Sequence, residues 1–350
     1  LIELDNILRQ VSKPARYTGG EWNSVVKDWT KTPIRVALSY PDLYEIGMSA
    51  LAIPILYELL NEQPDVLAER VYAPWPDMAE QLRAQGIPLF SLESRHSLKE
   101  FDVIGFSLGY ELTYTNVLAM LDLAQVPVRA ADRDASHPLV IAGGSCVLNP
   151  EPMADFIDLF VIGDGEEVLI ELVNCLRDGK RNGSDRAELL RKLATISGIY
   201  VPSLYRVEYE ADGLVKSITP LTTEASPSIT RRIVAQLPPP PTKPVVPYIE
   251  VVHDRAAIEI QRGCSCGCRF CQAGSAYRPV RERPPEEVLQ TAGELINRCG
   301  YNEVSLVSLN TSDYPHIEEL VSNLFRRYHD QDLILSLPSL RISGFSVKLL

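Results

Sequence analysis

Short apolar runs, each followed by a stretch of helical periodicity, occur in two series along this chain, separated by Leu237-Pro238-Pro239-Pro240-Pro241 with Pro244 and Pro247 behind it. Strands that alternate with helices belong to parallel sheets, because a parallel strand needs a long crossover to return to the same edge. The first series predicts strands at 34–40, 70–72, 103–107, 139–142 and 159–162. A helix with Met48, Leu51, Ile55, Leu56, Leu59 and Leu60 on its apolar face follows the first strand. Another, over 166–176, starts behind Gly163-Asp164-Gly165 with acidic residues at the positive end of its dipole. The expected fold is α/β, opening with a doubly wound, Rossmann-like parallel sheet whose ligands sit beyond the carboxyl ends of the strands. No Gly-x-Gly-x-x-Gly opens the first helix, which argues against a nicotinamide cofactor.

Residues 205–210 and 214–218 around Ala211-Asp212-Gly213 predict a β-hairpin. The proline run reads as a stiff spacer. The second series then predicts strand 256–260, helix 286–298, strand 303–309, helix 316–328 and strand 333–337. The domain layout is an N-terminal extension (1–33), an α/β domain (34–198), a hairpin with linker (199–247) and the beginning of a (β/α) barrel (248–350). Three barrel strands leave a parallel edge open, and such edges are normally covered. The chain, which starts at Leu1, is therefore expected to be part of a longer protein.

Four cysteines crowd into Cys264-Ser265-Cys266-Gly267-Cys268-Arg269-Phe270-Cys271, and Cys264, Cys268 and Cys271 keep a CxxxCxxC spacing. Thiolates are soft ligands suited to iron–sulfur clusters and zinc. Three of them on one loop can hold three irons of a [4Fe–4S] cubane and leave the fourth open to chemistry. A four-thiolate zinc or rubredoxin-like site including Cys266, or a plain electron-transfer cluster, is the competing reading. Structural zinc, however, usually draws on two separated pairs, and Cys299 stands alone. Cys266 lies outside the spacing, as a bystander thiol, an alternative ligand or an oxidation liability.

Arg262-Gly263-Cys264-(x)3-Cys268-Arg269-Phe270-Cys271-Gln272-Ala273-Gly274 resembles the signature of radical S-adenosylmethionine (SAM) enzymes. The resemblance implies a cluster on Cys264, Cys268 and Cys271, SAM on the open iron, and reductive cleavage of SAM to a 5′-deoxyadenosyl radical. It also implies an electron donor such as flavodoxin or ferredoxin. Phe270 is then expected near the adenine. Ser308, Asn310, Thr311 and Ser312 after the second barrel strand, and Ser336 and Arg341 after the third, are expected to contact SAM. The α/β domain resembles the cobalamin-binding domains that precede many such barrels. In Pro41 to Ser49, Asp42 and Gly47 match their Asp-x-His-x-x-Gly loop, while Tyr44 stands at the histidine. Ser107, Gly143, Gly144, Gly163 and Gly165 complete the implied cobalamin contacts, with cobalt five-coordinate or facing Tyr44 or water. Nearly the whole chain resembles a family of B12-binding radical SAM proteins of unassigned function. The implied activity is C–H functionalisation, foremost methyl transfer. A cobalamin-independent radical reaction, such as RNA modification or methylthiolation, and a non-catalytic redox-sensing module are the alternatives.

With 34 basic and 46 acidic residues the net charge is −12, which counts against attraction of RNA by the overall field. A basic strip at Arg278, Arg281 and Arg283 is either solvated or substrate-binding. No run of eighteen apolar residues and no N-terminal signal pattern appears, so a chain that neither spans a membrane nor is secreted is expected. Clustered cysteines suit a reducing, cytoplasmic setting.

Overall fold

The computed structural model of the chain describes residues 4–341. They divide into two compact units: one runs to Val234 and takes in Pro247–Ile249, and the other comprises Ala235–Val246 and the chain from Glu250 onward. Among the described residues no helix is long and apolar enough to cross a membrane.

The first unit is built on β1 (Ile34–Tyr40), β2 (Val66–Tyr72), β3 (Val103–Ser107), β4 (Leu139–Gly143), β5 (Leu159–Val161) and β6 (Ile199–Tyr200), in the order β2-β1-β3-β4-β5-β6. The first five are parallel, and β6 joins β5 antiparallel. Every residue of β2 is buried, as a strand covered on both faces requires. Helices Ala52–Asn61 and Gly165–Asn182 pack together, as do Pro76–Gln85 and Tyr114–Leu123. Right-handed crossovers in this strand order place the two pairs on opposite faces. The sheet is doubly wound, as the alternation predicts, and its order reverses between β1 and β3.

Three details differ from expectation. β2 starts at Val66, four residues before the predicted strand. The helix after β1 is split into a turn, Tyr44–Gly47, and the helix Ala52–Asn61, whose first turn accommodates Pro54 without loss of a needed donor. The strand β6 is too short to show a period. Beyond it lie the hairpin strands β7 (Tyr205–Tyr209) and β8 (Val215–Pro220), and no helix or strand between Pro220 and Ala256.

The second unit holds β9 (Ala256–Glu259), β10 (Gln261–Arg262), β11 (Arg281–Glu282), β12 (Glu303–Val307) and β13 (Ile334–Ser336). Its sheet, β13-β12-β9, is parallel throughout. Helices Pro285–Cys299 and Ile317–Arg327 cross between its strands and bury Val288, Leu295, Leu320 and Leu324 with Ile258, Val304 and Leu306. The loops after all three strands therefore leave from one edge, the carboxyl edge.

A charged cluster sits inside the first unit. Arg70 on β2 donates to Glu21 (2.8 Å) and Glu93 (2.6 Å), and all three side chains are almost wholly buried. Burial opposes the Arg70 charge, but Glu93, Tyr72 and Glu21 hold its pKa well above the ordinary value. Burial also pushes Glu21 up, yet the Arg70 charge and hydrogen bond bring it below the usual carboxylate range. The stability linked to Glu21 is thus fully present above its unfolded pKa of about 4 and is lost as pH falls through the lower folded value. Arg70→Met, which strands two buried carboxylates, should cost roughly 3–5 kcal/mol in urea unfolding at pH 7. The deficit should shrink as pH falls, because Glu21 without Arg70 is left with the burial that raises its pKa and takes up a proton more readily than in the parent. A variant as stable as the parent at pH 7 would remove the cluster from the account of the fold.

Candidate active site

β9 ends at Glu259, and the chain leaves the sheet through Gln261 and Arg262, which pair antiparallel with Glu282 and Arg281. Between these two-residue strands lies one loop carrying all four clustered cysteines, and two glycines set its path. Gly263 has φ +98°, and a Cβ there would stand 2.7 Å from the Pro279 carbonyl oxygen and 2.8 Å from that of Tyr277. At Gly274, in the helical turn Ala273–Ala276, a Cβ would stand 2.2 Å from the Cys266 carbonyl oxygen. The loop is also tied by its backbone: Cys264 N–H donates to Tyr277 O and Cys271 N–H to Cys268 O, both at 3.0 Å.

The arginines around the loop are braces. Arg262 meets the Glu259 carboxylate with two bonds of 2.9 and 2.8 Å. Arg283, buried, donates to Glu259 O at 2.9 Å and to the Glu287 carboxylate at 2.5 Å. Arg281 is buried as well, and Arg278 donates to Ser265 O at 3.3 Å. The basic strip read from the sequence is therefore largely internal rather than an open patch.

None of the cysteines is in a disulfide; Cys268 is exposed, and Cys264 and Cys271 are half-buried. Among the described residues no three His, Cys, Asp or Glu side chains are gathered around one point. The donor set nonetheless fits an iron–sulfur cluster in its chemistry: three thiols on one loop at the carboxyl end of a parallel strand, with no competing disulfide. Metal binding and closure of such a loop are coupled, so the ligands need not be gathered beforehand. Phe270 is 92% exposed at the tip.

The loop after β12 faces the same edge. Ser308, Asn310 and Thr311 are buried and joined: the Ser308 and Thr311 hydroxyls are 3.1 Å apart, and Asn310 N–H donates to Ser308 Oγ at 3.2 Å. Asn310 Nδ2 donates to Cys266 Sγ (3.4 Å), while Asn310 Oδ1 is buried with no hydrogen-bond partner among the described residues. Ser312 Oγ accepts from Arg341 N–H at 2.8 Å, and Arg341 Nη1 reaches both Cys266 Sγ (2.9 Å) and Asp313 (3.4 Å). Five of the expected SAM contacts, Ser308, Asn310, Thr311, Ser312 and Arg341, thus belong to one cluster. Ser336 does not join it: its hydroxyl receives Arg255, which precedes β9 and pairs with Glu303 at the start of β12. Asp313 and Cys266 were missed as members. The acid directly after Ser312, with an arginine on the neighbouring strand's loop, was the available signal.

At the carboxyl edge of the first unit several expected cobalamin contacts are filled by the chain itself. Tyr44 points inward, 2% exposed, with its hydroxyl donating to Glu21 at 3.0 Å and its ring edge-on to Tyr72. Burial and the Glu21 charge push its pKa far up, so it is a neutral core phenol that cannot face a cobalt ion. Gly47 gives way to the Tyr72 ring, 2.3 Å from where its Cβ would be. Gly163 lies against Arg232, whereas Gly144 is exposed and only a Cβ added there would meet the Leu108 backbone. Asp164 accepts from Val234 N–H, so this segment also covers the edge next to Gly165. What remains open lies at the order reversal: Asp42, Ser107 and Gly143 are half-buried, and Gly144 and Tyr110 are more exposed. Tyr110 donates to Asp42 at 2.5 Å, a bond that with burial pushes its pKa up to about 12. These residues fit a ligand above the β1 and β3 ends; position 44 does not fit an axial ligand.

Residues 258–347 match the family described as the radical SAM superfamily, and residues 52–202 match radical SAM proteins, N-terminal. The chain belongs to the radical SAM superfamily. It is 26% identical over 311 residues to the uncharacterized protein MJ0966 of Methanocaldococcus jannaschii, covering 87% of this chain and 55% of that one. It thus spans about half the length of that relative. A stretch of 60 residues is 40% identical to the threonylcarbamoyladenosine tRNA methylthiotransferase MtaB of Bacillus subtilis, 17% of this chain and 13% of that protein. Among solved structures, the radical SAM methyltransferase TsrM of Kitasatospora setae with cobalamin and [4Fe–4S] cluster bound is similar at TM-score 0.49 and 16% identity, covering 85% of this chain and 53% of that one. In this radical SAM chain Gly274→Ala should impair cluster retention although no ligand changes, because the loop must shift to clear the Cys266 carbonyl. Iron content after anaerobic reconstitution equal to that of the parent would show that the close approach is dispensable.

Proposed function

We propose that the chain carries the cluster and SAM site of an enzyme that cleaves SAM reductively, with Cys264, Cys268 and Cys271 as the cluster ligands. The observation that carries this reading is the pairing of the cysteine loop after β9 with the buried polar loop after β12, where Asn310 Oδ1 has no partner. When bound, the cluster supplies one electron to the sulfonium of SAM, which yields methionine and a 5′-deoxyadenosyl radical. The electron comes from a donor such as flavodoxin or ferredoxin.

The protein's part is placement. Asn310 Oδ1 offers an acceptor for the SAM ammonium, with Ser308 holding its backbone. Arg341 suits the SAM carboxylate, since a guanidinium meets a carboxylate with two parallel bonds. Phe270 offers an exposed face for the adenine. Ser336, engaged by Arg255, is left out of this set.

For the first unit the reading is a cobalamin that Asp42, Ser107, Tyr110 and Gly143 would hold at the β1–β3 reversal, where it would supply a transferable methyl group, with buried Tyr44 taking no part. The functional division falls in the proline-rich stretch before residue 248. Methyl transfer to a carbon radical is the reaction this combination favours.

Two measurements test the proposal. Cys264→Ala, Cys268→Ala and Cys271→Ala should each abolish the reconstituted cluster, while the parent, strongly reduced, should release 5′-deoxyadenosine from SAM. An intact cluster that leaves SAM uncleaved would point to a sensing module instead. Cob(II)alamin retained by the holoprotein should show an EPR spectrum without nitrogen splitting, unchanged in Tyr44→Phe. No retained cobalt in a folded, cluster-loaded protein would separate the first unit from cobalamin.

A further inference from the structure

We infer that Cys266, outside the three-cysteine spacing, is a positioning residue: its thiol latches the cluster loop to the loop after β12 and so sets SAM affinity without ligating iron. The inference rests on the SAM reading above.

Three side chains converge on this one sulfur. Arg341 Nη1 donates at 2.9 Å, Asn310 Nδ2 donates at 3.4 Å, and the thiol itself lies 3.4 Å from Asp313 Oδ2, placed to donate. Arg341 in turn reaches Asp313 at 3.4 Å, so sulfur, guanidinium and carboxylate form a closed triangle. On the backbone side the Cys266 carbonyl oxygen lies against Gly274, and Cys266 N–H donates to Cys264 Sγ at 3.4 Å. The residue is therefore held from both sides between the first cluster cysteine and the polar loop.

The independent observation is Asn310. Its side chain is buried at 2% exposure, and its amide nitrogen is used by the Cys266 sulfur while Oδ1 has no partner. A buried acceptor left without a donor is costly unless a ligand supplies one. The sulfur fixes which way the amide points, because it takes the Nδ2 end. Loss of the sulfur frees the amide to turn and removes one acceptor of Arg341. Both groups assigned to the amino and carboxylate ends of SAM then lose their support, while Cys264, Cys268 and Cys271 keep theirs.

The test uses the full chain reconstituted anaerobically as parent, Cys266→Ala, Cys266→Ser and Cys264→Ala. Iron and sulfide are counted, and the EPR spectrum of the reduced cluster is titrated with SAM. Cys266→Ala should retain the parent's iron and need about tenfold more SAM for the same spectral change, a typical effect of losing one anchoring interaction. Cys266→Ser, whose hydroxyl accepts and donates as the thiol does, should recover most of that affinity. Asp313→Asn, which weakens the same triangle from the opposite loop, should reduce SAM affinity without iron loss and covers the case in which Cys266→Ala misfolds. Unchanged SAM affinity in Cys266→Ala and Asp313→Asn would overturn the latch while leaving the cluster and SAM reading intact. Iron loss in Cys266→Ala equal to that in Cys264→Ala would make Cys266 a ligand and also overturn it. A parent that takes up no cluster, or whose cluster ignores SAM, would instead defeat the reading on which the latch rests.

Discussion

The buried guanidinium of Arg70 constrains the first unit more than any other group. It sits on the fully covered strand β2, where a charge survives only with carboxylates beside it, and it recruits them from two distant places in the chain, Glu21 and Glu93. Glu21 belongs to the segment before β1, which is thereby held against the sheet. The second oxygen of Glu21 accepts the Tyr44 hydroxyl, which draws the loop after β1 inward. Met48 receives both Arg70 Nη1 and the Tyr72 hydroxyl at 3.1 Å. One buried charge therefore decides which residues after β1 belong to the core and which are left for a ligand.

That decision changes the meaning of the Asp42-x-Tyr44-x-x-Gly47 pattern. Taken as sequence, the three residues form one motif with one substitution. In space they separate: Asp42 stays at the open edge with Tyr110, whereas Tyr44 and Gly47 pack around Tyr72. The phenol bonded to Asp42 is Tyr110, contributed by the loop after β3. Local spacing could not show this, because the partners that turn Tyr44 inward come from upstream and from the next strand.

Legibility followed the range of the interactions. The parallel series, the helices and the strand ends that carry the cysteine loop were readable because period and spacing are local properties. Ser308, Asn310, Thr311, Ser312 and Arg341 were found by position alone, since all loops following parallel strands share an edge. Ser336 failed the same logic because Arg255, far away in sequence, claims its hydroxyl. Gly163 failed because the segment near Arg232 returns to fill the space it opens. Cys266 was readable as an extra thiol but not as a partner of Asn310 and Arg341, since those contacts join the ends of three different strands.

The second unit separates the task of holding the loop from the task of binding metal. Its loop is fixed at the base by the β10–β11 pairing and by arginines bonded to Glu259 and Glu287. The sharp path inside it comes from Gly263 and Gly274, positions where a side chain meets backbone rather than a movable neighbour. None of these restraints consumes Cys264 Sγ, Cys268 Sγ or Cys271 Sγ as an ion-pair or disulfide partner. The support is in the backbone and the braces, so the thiols remain available to soft metal. Cys266 is the exception among the four: its sulfur is committed to Asn310, Asp313 and Arg341 on the neighbouring loops, whereas the other three thiols have no such side-chain partners among the described residues.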